Sequence, residues 1–417
     1  MNTARAAALA VMLRVRRGAF AAPALNSELE PIMDARDRAL ATDLVYSALR
    51  HERRLEAALA ERLKQPDRLP EAVNAALLLG AAELLVREAP RHAAVNEWVN
   101  IVKQRHARLG GLANAVLRRV ELPGTPSPAV AASLPDWLFD EFRASLGEHA
   151  PAAAAGMLAP EPLWLTTLSD EAAPTLESEG CEVGPGPVPG SLRVRTPVPL
   201  GELETFTSGL IQPQNPSSLH VTRVVGAGPG DTVLDLASGN GIKAAIMAND
   251  GAKVTSVELS AAKLKRAERN QRRLGVRVKH VEADLSTLPD GLAPAGKVLL
   301  DAPCTGTGTL RGNPEIKRRL EPEDVQQAVV LQAQMLATAA QLTAPGGELT
   351  YAVCSLTRAE GPDQAASFLE ANPGFAAIQV DSDGLPFLQQ EHGGFILPLD
   401  GLDGFYVARF RRLQKDV

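Results

Sequence analysis

Thr232–Ala244 reads TVLDLASGNGIKA. An apolar strand closes on an acid, Asp235, and the chain then runs through small residues into a helix. In open α/β sheets this is how a ligand comes to sit against the carboxyl edge of the strands, because small residues let the backbone approach it closely. Gly239 and Gly241 permit the tight turn. Glu258 follows Asp235 by 23 residues and ends the next candidate strand; an acid at that distance takes the hydroxyls of a ribose. Asp284, in VEADLS, ends the third strand, where an acid would contact adenine. The loop has the form D-x-x-x-G-x-G. It is neither the dinucleotide fingerprint G-x-G-x-x-G nor the phosphate loop G-x-x-x-x-G-K-[ST]. A nucleotide-like ligand with a ribose is expected.

Around this loop, strand candidates are Thr232–Ala237, Lys253–Glu258, Val276–Glu282, Lys297–Asp301 and Glu348–Cys354. Helical patterns lie between them over Lys263–Leu274 and Glu323–Leu342. Alternation of strand and helix predicts a parallel sheet with helices on both sides. Upstream, residues 1–122 read as all helix: Leu40, Leu44, Val45 and Leu49 make one apolar stripe, and Val73, Leu77, Leu78 and Leu84 another. Leu122–Pro128 (LPGTPSP) is a loop, Pro135–Gly147 a short amphipathic helix, and Glu161–Thr205 a small α+β subdomain. The expected division is 1–122, 123–210 and 211–417.

At 417 residues the chain is long enough for two or three domains, and 45% hydrophobic with 22% charged residues excludes wholesale disorder. Aromatic residues make up 4%, too few for a surface built mainly on base stacking. The longest apolar stretches are short: Ala75–Ala82 is closed by Glu83, well short of the roughly 20 residues that span a bilayer. Arg14, Arg16 and Arg17 interrupt the alanine-rich N-terminus where a signal peptide would keep its apolar core. A cytoplasmic protein without a membrane partner is expected. The net charge of −6 averages +5 over residues 1–122 and −11 over the rest, so a basic face on the first part would still attract phosphates.

Three cysteines, Cys181, Cys304 and Cys354, exclude a disulfide scaffold. A lone free cysteine is usually a small packing residue, and Cys181 is read so. Cys304 in DAPCTGTG and Cys354 in YAVCSLT both end strands beside the ligand loop. Carbon 5 of a pyrimidine is too weak a nucleophile to take a methyl group unaided. A thiolate adding to carbon 6 makes carbon 5 enamine-like, which is covalent catalysis. An acid at ring nitrogen 3 helps, and Asp301 stands three residues before Cys304. A second thiol would help to resolve the adduct. No histidine has zinc-ligand spacing with the cysteines, so no metal is expected.

The ligand loop resembles the S-adenosylmethionine loop of class I methyltransferases. DAPCTGTG with LRGNPEIK, and YAVCSLT after Pro-Gly-Gly, resemble motifs IV and VI of the RNA cytosine-5 methyltransferases. The first part resembles the NusB-like domain of the bacterial 16S ribosomal RNA methyltransferase B (Sun/Fmu) family, on Asp37-Arg38-Ala39, Leu44-Val45-Tyr46, Leu49-Arg50, His92–Glu97 and Asn114–Arg118. Asp403-Gly404-Phe405 is similar to that family's last strand.

The resemblance implies a class I (Rossmann-like) α/β methyltransferase domain behind an all-α NusB-like RNA-binding domain and a small α+β subdomain. It implies methyl transfer from S-adenosylmethionine to carbon 5 of a cytidine in RNA, most of all 16S ribosomal RNA. Cys354 would be the nucleophile, Cys304 would assist release, and Asp301 would serve both catalysis and cofactor. Cofactor contacts would come from Asp235, Ala237, Ser238, Gly239, Asn240, Gly241, Ile242, Lys243, Glu258, Asp284 and Asp301.

DNA cytosine-5 methyltransferases use a Pro-Cys nucleophile instead, which Pro303-Cys304 alone would fit; the second cysteine and the NusB-like region argue against it. The family's loop D-x-C-A-A-P-G-G-K-T differs here at Asn240 and Ile242, while Lys243 is retained, and Val353 replaces a threonine before the nucleophile. A non-catalytic RNA-binding or assembly factor is the alternative that this departure raises. The basic run Arg311–Arg319 follows the Cys304 motif, and Arg311, Lys317 and Arg318 are expected to meet substrate phosphates. A monomer is expected.

Overall fold

The computed structural model describes residues 4–32 and 34–414, which fall into two compact units. One unit holds the chain up to Arg143, Glu148–Pro160 and Leu310–Leu320; the other holds Ala144–Gly147, Glu161–Thr309 and the chain from Glu321.

The first unit is helical: α1 (Ala4–Arg16), α2 (Ala21–Leu29), α3 (Ala35–Arg50), α4 (Glu52–Ala60), α5 (Glu71–Leu85), α6 (Arg91–Arg105) and α7 (Gly110–Leu117), with shorter pieces after them. Asp34 caps α3 by accepting from the Arg36 and Asp37 N–H groups. The expected stripes are core: Leu44, Val45, Leu49, Val73, Leu77, Leu78 and Leu84 are buried, with Leu40 packed at the margin. α5 is buried on nearly every side, as expected of a helix apolar all round. Gly80 lets α6 and α7 come close: a Cβ there would lie 3.0 Å from Leu117 and 3.2 Å from Trp98. The buried acid of α5, Glu83, accepts from Trp98 Nε1 (2.7 Å) and from Arg5 Nε and Nη2 (2.9 and 2.6 Å), so one carboxylate ties α1, α5 and α6.

The second unit has two sheets. A small antiparallel one, in order β2-β3-β1-β4, comprises β1 (Leu163–Thr167), β2 (Glu182–Pro185), β3 (Ser191–Arg195) and β4 (Ile211–Pro213). Cys181 sits in its apolar cluster with Leu165, Leu176 and Ile211. Arg273 ties this sheet to the larger one's helices: its guanidinium lies 4.0 Å from the Phe206 ring and donates to the Phe206 and Ile211 carbonyls and Gln212 Oε1.

The large sheet runs β11-β12-β13-β9-β8-β5-β6-β7, with β10 also on β13. Its strands are β5 (Thr232–Leu236), β6 (Lys253–Glu258), β7 (Lys279–Glu282), β8 (Ala295–Asp301), β9 (Thr343–Val353), β10 (Phe375–Ile378), β11 (Phe387–Gln390), β12 (Gly393–Ile396) and β13 (Phe405–Arg412). β5 to β9 pair in parallel, and β10 to β13 pair antiparallel. The sheet is therefore mixed, where alternation alone predicted a parallel one. β10, β11 and β12 are only four residues each and lie among Gly, Pro and polar residues, so they carry no strand signal. β9 starts at Thr343 rather than Glu348, because the Pro-Gly-Gly stretch is its irregular first part, with a register break opposite Ala295 and Lys297. The chain leaves β5 for β6 and β7, then returns to β5's other side with β8 and β9. β5 is thus the topological switch point, whose carboxyl end opens into a crevice.

Removing Glu83 strands the Trp98 N–H inside the core. Glu83→Ala is predicted to destabilise the helical unit by about 2–4 kcal/mol, from a lost buried partner plus a cavity. Glu83→Gln, which keeps the shape and one acceptor, should cost less. Urea unfolding followed by circular dichroism measures both; an unchanged midpoint in Glu83→Ala would contradict the tie.

Candidate active site

The loop after β5 is shaped by three left-handed residues in five. Gly239 (φ 59°) and Gly241 (φ 71°) are glycines, whereas Ala237 (φ 57°) holds that conformation with a side chain, a strained state of a kind that clusters at functional sites. Gly241 is also required sterically, since a Cβ there would lie 2.7 Å from the Ala267 Cβ on the helix Ala261–Leu274. A Cβ on Gly239 would meet nothing within 4 Å, which leaves that side open for a ligand. The loop is fixed from behind: Ser238 N donates to the Val257 carbonyl, Ser238 Oγ lies 2.7 Å from Ser256 Oγ, and Asn240 Oδ1 accepts from Arg266 Nε at 3.0 Å. The Asn240–Arg266 bond restrains the position where the family pattern has proline. Ile242 opens the helix Ile242–Asn249.

Five charged groups crowd the carboxyl edge. Glu258, buried at the end of β6, accepts from the Gly239 N–H (2.9 Å) and the Ser260 N–H (3.0 Å). Lys263 Nζ lies 3.5 Å from its Oε1, and the carboxylate keeps lone-pair capacity for hydroxyls. Asp284 follows the neighbouring strand β7; it is exposed, and the Ser286 N–H on its Oδ1 (2.8 Å) holds it below the usual carboxylate range. Lys243 Nζ donates to Asp301 Oδ2 at 2.6 Å and lies 5.7 Å from the Phe405 ring. Burial works against the Lys243 charge, but Asp301, then Asp235 and Cys354, outweigh it and hold the ammonium above its ordinary value. Asp235 is 1% exposed, and neither carboxylate oxygen meets a hydrogen-bond partner at normal geometry. Burial pushes its pKa up to about 7, against the pull of Lys243 and the Ala244 N–H and with the push of Asp301 and Glu258. An orphaned buried acid beside an open glycine suits a ligand that brings positive charge. S-adenosylmethionine carries an ammonium and a sulfonium, so the residues fit it.

The two cysteines leave adjacent parallel strands. Asp301 of β8 pairs with Ala352 of β9, so the chain reaches Cys304 and Cys354 from the same level of the sheet. Their sulfurs are 3.2 Å apart and both thiols are free. The contact with Cys354, then burial and the Glu360 charge, push the Cys304 thiol up, so Cys304 keeps its proton; either sulfur can donate across the contact. Gly308 N donates to the Cys354 carbonyl (2.9 Å), and Gly404 N to the Gly308 carbonyl (2.8 Å). A Cβ on Gly308 would collide with the Gly404 carbonyl at 2.0 Å. The Asp403-Gly404-Phe405 stretch thereby braces the Cys304 loop from β13.

Sequence reasoning missed the polar cluster beneath the thiols: Thr305, Ser355, Thr357, Gln332 and the fully buried Glu360. Hydroxyls beside both cysteines were the available sign, but RAEGPD reads as an exposed turn.

The basic run departs from expectation. Leu310–Leu320 belongs to the helical unit. Arg311 is 1% exposed, and Lys317 is buried with Nζ on the Arg50 carbonyl (2.6 Å), its pKa lowered to about 7 chiefly by burial. Arg318 pairs with Glu52 and is partly exposed, and Arg319 covers the Phe20 ring. Arg311 and Lys317 thus face protein, because the helical unit supplies carbonyls and acids that solvent phosphates would otherwise replace. No cluster of three or more His, Cys, Asp or Glu suited to a metal occurs among the described residues, nor a helix long and apolar enough to cross a membrane.

Comparison with known proteins agrees with this geometry. Residues 224–411 match the family model described as 16S rRNA methyltransferase RsmB/F, and residues 2–122 match the NusB family. The chain is 43% identical to the ribosomal RNA small subunit methyltransferase B of Thermus thermophilus, over 99% of this chain and 98% of the relative. It is 31% identical to the protein of that name in Xanthomonas campestris pv. campestris, over 83% and 82%. The crystal structure of PH0851 shares the fold at TM-score 0.81 and 22% identity, covering 99% of each chain. NSun6 from Pyrococcus horikoshii, solved with SFG, shares it at TM-score 0.59 and 18% identity over 67% of this chain and 99% of its own. With thiols, loop and sequence in accord over its whole length, the chain belongs to the 16S rRNA methyltransferase RsmB/F family and carries an N-terminal domain of the NusB family.

Proposed function

We propose that this protein methylates carbon 5 of a cytidine in 16S ribosomal RNA through a covalent adduct in which Cys354 is the nucleophile. The observation that carries the reading is the pair of sulfurs 3.2 Å apart at the ends of β8 and β9, with Lys243 bound to Asp301 beside them. The curated relatives are named as ribosomal RNA small subunit methyltransferases, which supports the choice of RNA.

S-adenosylmethionine, when bound, supplies the methyl group. The chain's own residues do the rest. The Cys354 thiolate adds to carbon 6, and the displaced π electrons make carbon 5 nucleophilic. Ring nitrogen 3 takes a proton from water as the adduct forms, and the Asp301 carboxylate accepts a hydrogen bond from that N–H while Lys243 fixes its other oxygen. After methylation a water molecule takes the carbon 5 proton, the electrons of that C–H bond restore the carbon 5–carbon 6 double bond and the Cys354 sulfur is expelled as thiolate, with the protonated Cys304 hydrogen-bonding it. Asp235, Gly239, Glu258 and Asp284 hold the cofactor, and Ala237, Ser238, Asn240, Gly241 and Ile242 shape its loop. The target base must leave its stack to reach the thiols. Region 1–122 binds RNA in this reading, and of the basic run only Arg318 is carried forward as a phosphate contact. We infer a cytoplasmic monomer, consistent with free thiols.

RNA carrying 5-azacytidine traps the adduct. Cys354→Ala should form none, while Cys304→Ala should form it there and accumulate it on unmodified RNA as well; the reverse pattern would exchange the two roles.

Asp235 supplies a pH prediction. Its folded pKa of about 7 lies above its ordinary value, so the acid is mostly protonated at pH 6 and ionised at pH 8. A ligand that presents an ammonium or a sulfonium to Asp235 prefers the ionised form, so the dissociation constant for S-adenosylmethionine should fall by up to about tenfold over that range. Calorimetry of wild type against Asp235→Asn tests this: the variant should bind more weakly and without that slope. A slope shared by both proteins would place the titration elsewhere, and no heat at millimolar cofactor with RNA binding intact would favour a non-catalytic assembly factor.

A further inference from the structure

Glu360 is a buried acid for which the reaction above has no use. It lies between β9 and the helix Pro362–Ala371, with no exposed surface and no salt bridge among the described residues. A buried carboxylate without a cation is costly unless its oxygens are fully hydrogen-bonded. Here they are. Oε1 accepts from the Thr305 N–H (2.9 Å) and from Gln332 Nε2 (3.0 Å). Oε2 accepts from Thr305 Oγ1 (2.5 Å), Ser355 Oγ (2.5 Å) and Thr357 Oγ1 (2.9 Å).

The donors are placed with purpose. Thr305 follows Cys304, Ser355 follows Cys354, and Gln332 also donates to the carbonyl of Pro303, the residue before Cys304 (2.9 Å). We propose that Glu360 is the positioning residue that fixes the two thiols against each other, as the one acceptor shared by the residues that follow them. The inference rests on the roles given to those thiols above. A carboxylate suits this demand best, because it presents about four lone-pair sites for the five donors to share and no hydrogen of its own. An amide would turn an NH₂ toward hydroxyls that already donate. The Glu360 carbonyl is held in turn by the Tyr351 hydroxyl (2.7 Å), which anchors the clamp to β9. The Glu360 charge also adds to the forces that keep the Cys304 proton in place.

The test uses the full-length chain and single-turnover trapping of 16S ribosomal RNA carrying 5-azacytidine. Glu360→Gln should slow adduct formation by about 10²-fold, the scale expected when reacting groups are misplaced by an ångström. KM for RNA and the calorimetric affinity for S-adenosylmethionine should stay within about twofold of wild type, since a positioning role affects the chemical step rather than binding. Thr305→Val keeps the backbone donor and loses only the hydroxyl, so a loss of about tenfold is expected, and the double variant should be no slower than Glu360→Gln alone because the two act in one network. If Glu360→Gln fails to fold, Thr305→Val carries the test by itself. Trapping at the wild-type rate in either variant would overturn the proposal. So would a loss of cofactor affinity in step with the rate, which would mark Glu360 as merely structural. Wild-type protein that traps no RNA would instead overturn the thiol assignment and this inference with it.

Discussion

Parallel pairing of β8 with β9 is the constraint on which the site depends. Because Asp301 and Ala352 stand opposite each other, two loops distant in sequence leave the sheet at one level and bring Cys304 and Cys354 within 3.2 Å. A parallel pair requires a crossover, and the helix Pro322–Leu342 that makes it carries Gln332, which bonds to both the Cys304 loop and Glu360. β5 lies on the other side of β8, so the loop after β5 opens beside the thiols, and Lys243 reaches across to Asp301. Sheet order therefore accounts for why a methyl donor and a nucleophile would meet here.

The departures from the family's usual loop read differently once its contacts are known. Asn240 replaces a rigid proline but gains Arg266 as a restraint, and Gly241 still lets the helix behind it pack closely. Behind the loop, Asp301 and Asp235 act on Lys243, and Glu258 and Asp301 act on Asp235, an accumulation of acid that favours a cationic ligand.

Much of this was legible in the sequence because it depends on local pattern. The strand-to-acid-to-glycine order located β5 and its loop, β6 came with its observed limits, and the spacing of Leu44, Leu49, Leu77 and Leu84 exposed the helical core. What was not legible depends on distant partners. Charge patterning presents Arg311 and Lys317 as surface residues, yet Lys317 is buried because the Arg50 carbonyl, far away in sequence, receives it. Glu360 looks like a turn residue until five donors from four separate residues converge on it. The short strands β10 and β12 form because β13 offers them pairing, and β11 because β12 does, not because their own residues demand it.

The central claim is that Cys354, and not Cys304, forms the bond to carbon 6. Peptide mapping by mass spectrometry of wild-type protein trapped on RNA carrying 5-azacytidine reads this directly. The nucleotide mass is predicted on the peptide that contains Cys354; finding it on the peptide that contains Cys304 would contradict the account.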